Sequence, residues 1–425
     1  MSYFFHFTIL LLGTYLVTRI KIGDNKRFFK YIGFFVFSFL LRLVLIYVNE
    51  ELNFFADKLA GSRAASIHLH YRETGNLLIY EGNFLLQWLI NYPFFELNGA
   101  TLQTILITNA YIGSIVPLFT AYYVHKIYGT KFENYVLFAF SFFLCFVNFS
   151  IFGLRDIIIM AIVSISALSI IYLFDSARGS ARFYKAGAVY AFTNFLILYI
   201  RPEMIAILGL PFLLYLFSRV LKFIGRINEK NARFLAYALS IGLFLVSVYF
   251  VANTTAVYLA GNVGAGSEVS TTEIIDVYAE QRYQRQFRGT GGGSAIVDPS
   301  SYQNLSTGSR LTIQILGMIV IPFPWEITST PKLLAFVDTL VVLFLLVNLF
   351  RFFFSQIKSR HDRLSRFFGN PFNILGLTFL FSILLYGFLV INFGNAFRLR
   401  MSILPYLIIP AIYFLSQKNS REYAS

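Results

Sequence analysis

Charge is what this chain is short of. Asp, Glu, Lys and Arg make up 13% of its 425 residues, where an ordinary soluble domain carries about 25%. So few charges cannot solvate a globular surface of this size, which excludes a water-soluble enzyme. Cysteine is almost missing: Cys145 stands alone inside an apolar run, so neither an intrachain disulfide framework nor a Cys-based metal site can be built. Residues 1–18 hold no Lys or Arg, and the basic cluster follows the first apolar run instead of preceding it, the reverse of a secretory signal peptide. The glycine-rich GTGGGS at 289–294 is not followed by Gly-Lys-Ser/Thr, so it reads as a flexible stretch and not as a phosphate-binding loop. His68 and His70 stand two apart with no third ligand in view; that spacing shares a face only in an extended segment, and no metal is assigned.

Apolar residues fill the space. They make up 57% of the chain, aromatics alone 19%, in runs that repeatedly reach the roughly 20 residues needed to cross a bilayer. The expected fold is all-α: a polytopic helical membrane protein forming a single integral domain over 1–425. Eleven spans are read, at 2–18, 30–48, 102–124, 134–153, 156–174, 186–201, 203–220, 234–256, 332–350, 371–393 and 401–416. Alternate connections differ in charge. One set (19–30, 125–133, 175–185, 219–233, 351–367 and the tail from 417) holds 22 Lys and Arg against six acids. The rest holds 13 against 15. The excess of +16 on one side and −2 on the other places the first set in the cytoplasm, the N-terminus outside and the C-terminus inside. The net charge of +14 is thus assigned to orientation and not to nucleic acid. Making 311–325 a twelfth span would move Arg351, Lys358, Arg360, Arg363 and Arg366 outside, so it reads as re-entrant or interfacial, with Pro322 and Pro324 breaking it.

The cytoplasmic connections are short and basic. Two outer ones are long: 49–101, with helical periodicity of its own and an amphipathic end, and 257–330, rich in Gly, Ser and Thr before the 311–325 segment. Ionisable residues collect at outer span ends, where they are costly. Arg155–Asp156 sits at a seam between two apolar runs and reads as a polar pair lining an outward cavity, or as an interfacial salt bridge. Arg201 and Glu203 flank Pro202, and Glu203 equally suits the first turn of the next helix. Asn395, Arg398 and Arg400 fall in NAFRLR; two arginines there fit an anion near the headgroups, or snorkelling to lipid phosphate. Arg42 and Asp338 lie inside spans, each either functional or paired with a neighbour. Among the acids of the first outer loop, Asp57 is the candidate base, because it follows Phe54-Phe55-Ala56 close to the membrane. Trp325 reads as an interface aromatic or a sugar-stacking ring, and Arg288 as a further cation on the large loop.

This order of parts resembles the GT-C-type membrane glycosyltransferases. In them a long outer first loop carries an early acid and a very short second outer loop carries another, matched here by Asp57 and by Arg155-Asp156. The extra N-terminal span departs from that pattern. IRPE at 200–203, the 257–310 loop and NAFRLR at 395–400 resemble the Wzy-type O-antigen and capsular polysaccharide polymerases. The resemblance implies a bacterial cytoplasmic-membrane enzyme that moves a glycan from a polyprenyl-diphosphate carrier to a sugar hydroxyl on the outer face. Asp57, Asp156, Arg155 and Glu203 would be catalytic. Arg42, Arg201, Arg398, Arg400, Asn395, Trp325 and Arg288 would bind substrate. A divalent cation beside the diphosphate and arginines acting alone are both open, as are membrane lipids and other polysaccharide-assembly proteins as partners. The alternative reading is a transporter or flippase of lipid-linked oligosaccharide.

Overall fold

The computed structural model describes residues 2–22, 24–52, 62–76, 82–151, 155–177, 179–201, 204–224, 307–320, 322–327, 330–357, 367–387 and 393–422. Among them the long elements are helices: α1 (Ser2–Lys21), α2 (Asn25–Leu52), α3 (Ser62–Thr74), α4 (Gly82–Asn98), α5 (Leu102–Tyr128), α6 (Thr130–Phe142), α7 (Leu144–Ser150), α8 (Asp156–Asp175), α9 (Ala181–Ile200), α10 (Ile205–Ile224), α11 (Thr307–Val320), α12 (Thr330–Ile357), α13 (Pro371–Gly387), α14 (Phe393–Ile403) and α15 (Pro405–Glu422). Among the described residues four stretches, Asn25–Asn49, Leu102–Tyr128, Asp156–Asp175 and Lys332–Gln356, are long and apolar enough to cross a membrane. This is a helical protein of membrane type.

Contacts divide the chain into two units, residues 1–165 with 329–334, and residues 166–328 with 335–425. In the first, α2 packs on α5, and α6 folds back along α5. The joint is Gly129 at φ +83°, whose N–H still reaches the His125 carbonyl; the left-handed turn needs a residue without Cβ. Thr101 caps α5 by accepting the Thr104 N–H at 3.3 Å. The expected amphipathic first loop is a helical pair, α3 on α4, closed by Ala64, Ala65, Ile67, Trp88 and Phe95 with Ile105 of α5.

One expected span is not a single helix. Residues 134–153 are interrupted at Phe143, which is extended (φ −61°, ψ 125°) between α6 and α7. The sequence hides this break because no Gly or Pro marks it.

In the second unit α13 is the hub, packing on α10, α11, α14 and α15. Hydrocarbon surroundings give no hydrophobic drive between helices, so close fit must hold them. Gly376 supplies it: a Cβ there would stand 2.5 Å from Leu349 and 2.7 Å from Phe353 of α12. Phe372 of α13 stacks on Tyr413 of α15 at 3.8 Å. The expected 371–393 span is helical over Pro371–Gly387, residues 388–392 lie outside the described residues, and Phe393–Ile403 form α14. The 311–325 segment carries helix α11 and a short 3-10 turn at Pro324–Glu326; the 14 described residues of α11, at about 1.5 Å each, run roughly 21 Å. The expected span at 234–256 lies outside the described residues.

Candidate functional site

Four ionisable groups of the second unit, Arg201, Asp338, Arg398 and Arg400, lie on or reach α14, an 11-residue helix. Arg398 and Arg400 are two residues apart, so about 200° of helical rotation separates them and they serve different faces. Arg400 points inward and is 2% exposed. Its Nη2 donates to Asp338 Oδ2 at 3.3 Å and to Thr339 Oγ1 at 3.2 Å, both on α12, and its Nη1 donates to the Ile319 carbonyl of α11 at 3.0 Å. Asp338 is 1% exposed. Two charges removed from water this completely are tolerable only when paired and hydrogen-bonded, and here one guanidinium ties three helices together.

The other face of α14 carries Arg398, half-buried, and Ser402 one turn on. The Ser402 hydroxyl donates to the Arg398 carbonyl at 3.0 Å and accepts from Nη1 of Arg201 at 3.4 Å. Arg201 is itself buried and ends α9 with non-helical angles, φ −145° and ψ 79°. Helix α9 therefore delivers its guanidinium to within one turn of Arg398. Among these four ionisable groups stand three guanidiniums and one carboxylate. Asp338 pairs with Arg400, and Ser402 joins Arg201 to the turn of α14 that carries Arg398.

The first unit positions the rest. Arg155 precedes α8, and its carbonyl accepts the N–H groups of Ile158 and Ile159. Its guanidinium lies 4.7 Å over the ring of Phe84 on α4, which Arg63 of α3 also approaches at 5.4 Å. Asp156 is fully buried in the first turn of α8, where the helix dipole favours a carboxylate.

Arg42 is fully buried in α2. Its Nε donates to Ser150 Oγ at 2.6 Å, and its Nη1 to the Ser38 hydroxyl, to the Ser38 carbonyl at 3.0 Å and to the Ser141 carbonyl at 3.2 Å. Ser141 and Ser150 lie on either side of the break at Phe143. The interruption strips helical partners from nearby carbonyls, and Arg42 supplies donors to this broken span. Gly113 of α5 leaves room for it: a Cβ there would stand 2.5 Å from Ser150 Cβ and 2.9 Å from Arg42 Nε.

Trp325 is 77% exposed and stacks face to face on Phe323 at 4.8 Å. Asn395 falls in the first turn of α14. Asp57, Glu203 and Arg288 lie outside the described residues.

One polar centre was missed in the sequence. Glu133, in the first turn of α6, is fully buried. Its Oε1 is 2.9 Å from Lys30 Nζ and 3.4 Å from Arg27 Nε, and its Oε2 is 2.7 Å from His125 Nδ1. Burial alone would raise its pKa, but the bonds from Lys30 and Tyr31 and the charges of Lys30 and Arg27 outweigh it and hold the carboxyl below its ordinary value. The signal that could have exposed it is an acid standing in an otherwise basic connection. The chain matches no family model, no curated protein and no solved structure.

Proposed function

We propose that this protein is a membrane glycosyltransferase of cell-surface polysaccharide assembly, most simply a polymerase of O-antigen or capsule units. It would use a polyprenyl-diphosphate donor at the outer face of a bacterial cytoplasmic membrane, in an eleven-span chain with its N-terminus outside. The observation that carries the reading is the Arg201–Arg398 face of α14. In the reaction, the bond between the donor's anomeric carbon and the diphosphate oxygen breaks, and the acceptor hydroxyl oxygen bonds to that carbon. Its proton passes to a carboxylate, and the diphosphate departs as an anion. Guanidiniums suit that leaving group because they stay charged at any working pH and grip phosphate oxygens in a fork. The candidate bases are those the sequence names, Asp156 in the first unit and, outside the described residues, Asp57 and Glu203. Arg400 and Arg42 brace helices in the structure, Arg400 through Asp338, Thr339 and Ile319 and Arg42 through Ser38, Ser141 and Ser150.

Replacing Arg201 or Arg398 by Ala, at unchanged protein level, should collapse surface glycan from long chains to single units. Full chain length with both replaced would sink the polymerase. A flippase of lipid-linked oligosaccharide is the second reading, favoured by the interrupted α6–α7 span with a buried arginine beside it, since broken helices recur in transporters. Single units accumulating outside the membrane support the polymerase, and accumulation inside supports the flippase.

A further inference from the structure

A cleft between α1, α2 and α5 of the first unit encloses about 130 Å³. Val17, Ile115, Leu118 and Phe119 wall it. Of the polar groups on its lining, the Thr14 hydroxyl is already used, donating to the Leu10 carbonyl at 2.9 Å with the Tyr111 hydroxyl 3.1 Å away, so the middle of the slot is mainly apolar. The slot opens sideways, for Val17 is 57% exposed and Phe119 40%. On helices that cross a bilayer, such an opening faces lipid chains.

One end is cationic. Lys21, exposed at the end of α1, lines the cleft itself. Lys126, also exposed, holds its ammonium 4.6 Å over the ring of Tyr122, another lining residue. Among the described residues the nearby carboxylates are engaged elsewhere: Glu133 faces Lys30, Arg27 and His125, and Asp24 accepts the Lys26 backbone N–H. An apolar slot with two lysines at one end has the charge pattern of a phosphate headgroup joined to a hydrocarbon tail, and basic recesses between spanning helices select anionic headgroups.

We propose that this cleft holds one acyl chain of an anionic phospholipid from the surrounding bilayer, with its phosphate between Lys21 and Lys126. Apolar contact discriminates little here, since the chain only exchanges one hydrocarbon setting for another. Selectivity comes from the two ammonium groups. The site is independent of the glycosyltransferase reading.

The test uses the full chain purified in mild detergent and stripped of lipid, with phosphatidylglycerol or phosphatidylcholine added and adducts counted by native mass spectrometry. One phosphatidylglycerol should bind in preference to phosphatidylcholine. Lys21→Gln and Lys126→Gln should each weaken it roughly fivefold. Val17→Trp should block it by filling the open edge from an exposed position, with helicity and melting unchanged. Equal retention of phosphatidylcholine would overturn the proposal, as would unchanged binding in the two lysine variants. Displacement of phosphatidylglycerol by equimolar polyprenyl phosphate would show the wrong occupant was chosen.

Discussion

Arg400 and Asp338 stand 62 positions apart and meet at 3.3 Å with almost no exposure. A charge left alone at such a place is far costlier than the pair is favourable. Arg400→Ala should therefore lower unfolding stability in detergent by about 3–5 kcal/mol. Arg400→Leu combined with Asp338→Leu should recover most of that loss, because the double variant buries no charge. A double variant as unstable as the single one would mean the pair does not hold α14. Each residue was legible as an oddity, Asp338 as an acid inside an apolar run and Arg400 as a cation at an outer span end. Their partnership was not, because nothing in their spacing says which helices will touch. The same holds for Arg201: its place after a long apolar stretch marked it, and only the end of α9 brought it to Ser402.

At the scale of elements, α6 and α7 show how far hydropathy reaches. Apolar residues from 134 to 153 are enough for one span, and composition predicts one. The structure breaks it at Phe143, and Arg42 of α2, 108 positions before Ser150, stabilises the broken form. This close packing yields a steric prediction. Gly113→Ala should destabilise by about 1–3 kcal/mol, because its Cβ must displace Ser150 and Arg42. Gly187→Ala is the control. Its nearest contact would be Leu173 at 3.9 Å, so the better helix propensity of Ala should leave stability unchanged or raise it by up to about 1 kcal/mol. Equal melting shifts for the two would remove the argument that α5 and α7 fit closely at Gly113. The first-loop helices α3 and α4 were more readable, since their apolar residues recur at helical intervals and meet across a short connection.

Across the molecule, the charge bias and the Glu133 centre make separate forecasts. Glu133 titrates below its ordinary value of 4.5 in the folded state. Its contribution is then fully present above that value and is lost as pH falls through the lower folded one. Thermal melting should drop on acidification in that window. Glu133→Gln should flatten that dependence and cost about 2 kcal/mol near neutral pH, by leaving Arg27 and Lys30 without their carboxylate. A pH profile identical to the parent would show that Glu133 adds nothing. The proposed orientation is checked by labelling: in a Cys145→Ala background, Glu73→Cys should react with an impermeant thiol reagent from outside, and Lys126→Cys only after the membrane is opened. The reverse pattern would invert the topology.

The sequence by itself determined that this is a helical, membrane-type chain and where most of its helices run. Hydropathy and helical hydrogen bonding are local, summed over neighbours along the chain. Only the tertiary structure decided which buried charges are paired. Arg400 went to Asp338, Arg42 to the break in the α6–α7 span, and Lys30 to Glu133. Those choices depend on separations of a few ångströms between residues scores of positions apart, and packing sets such distances.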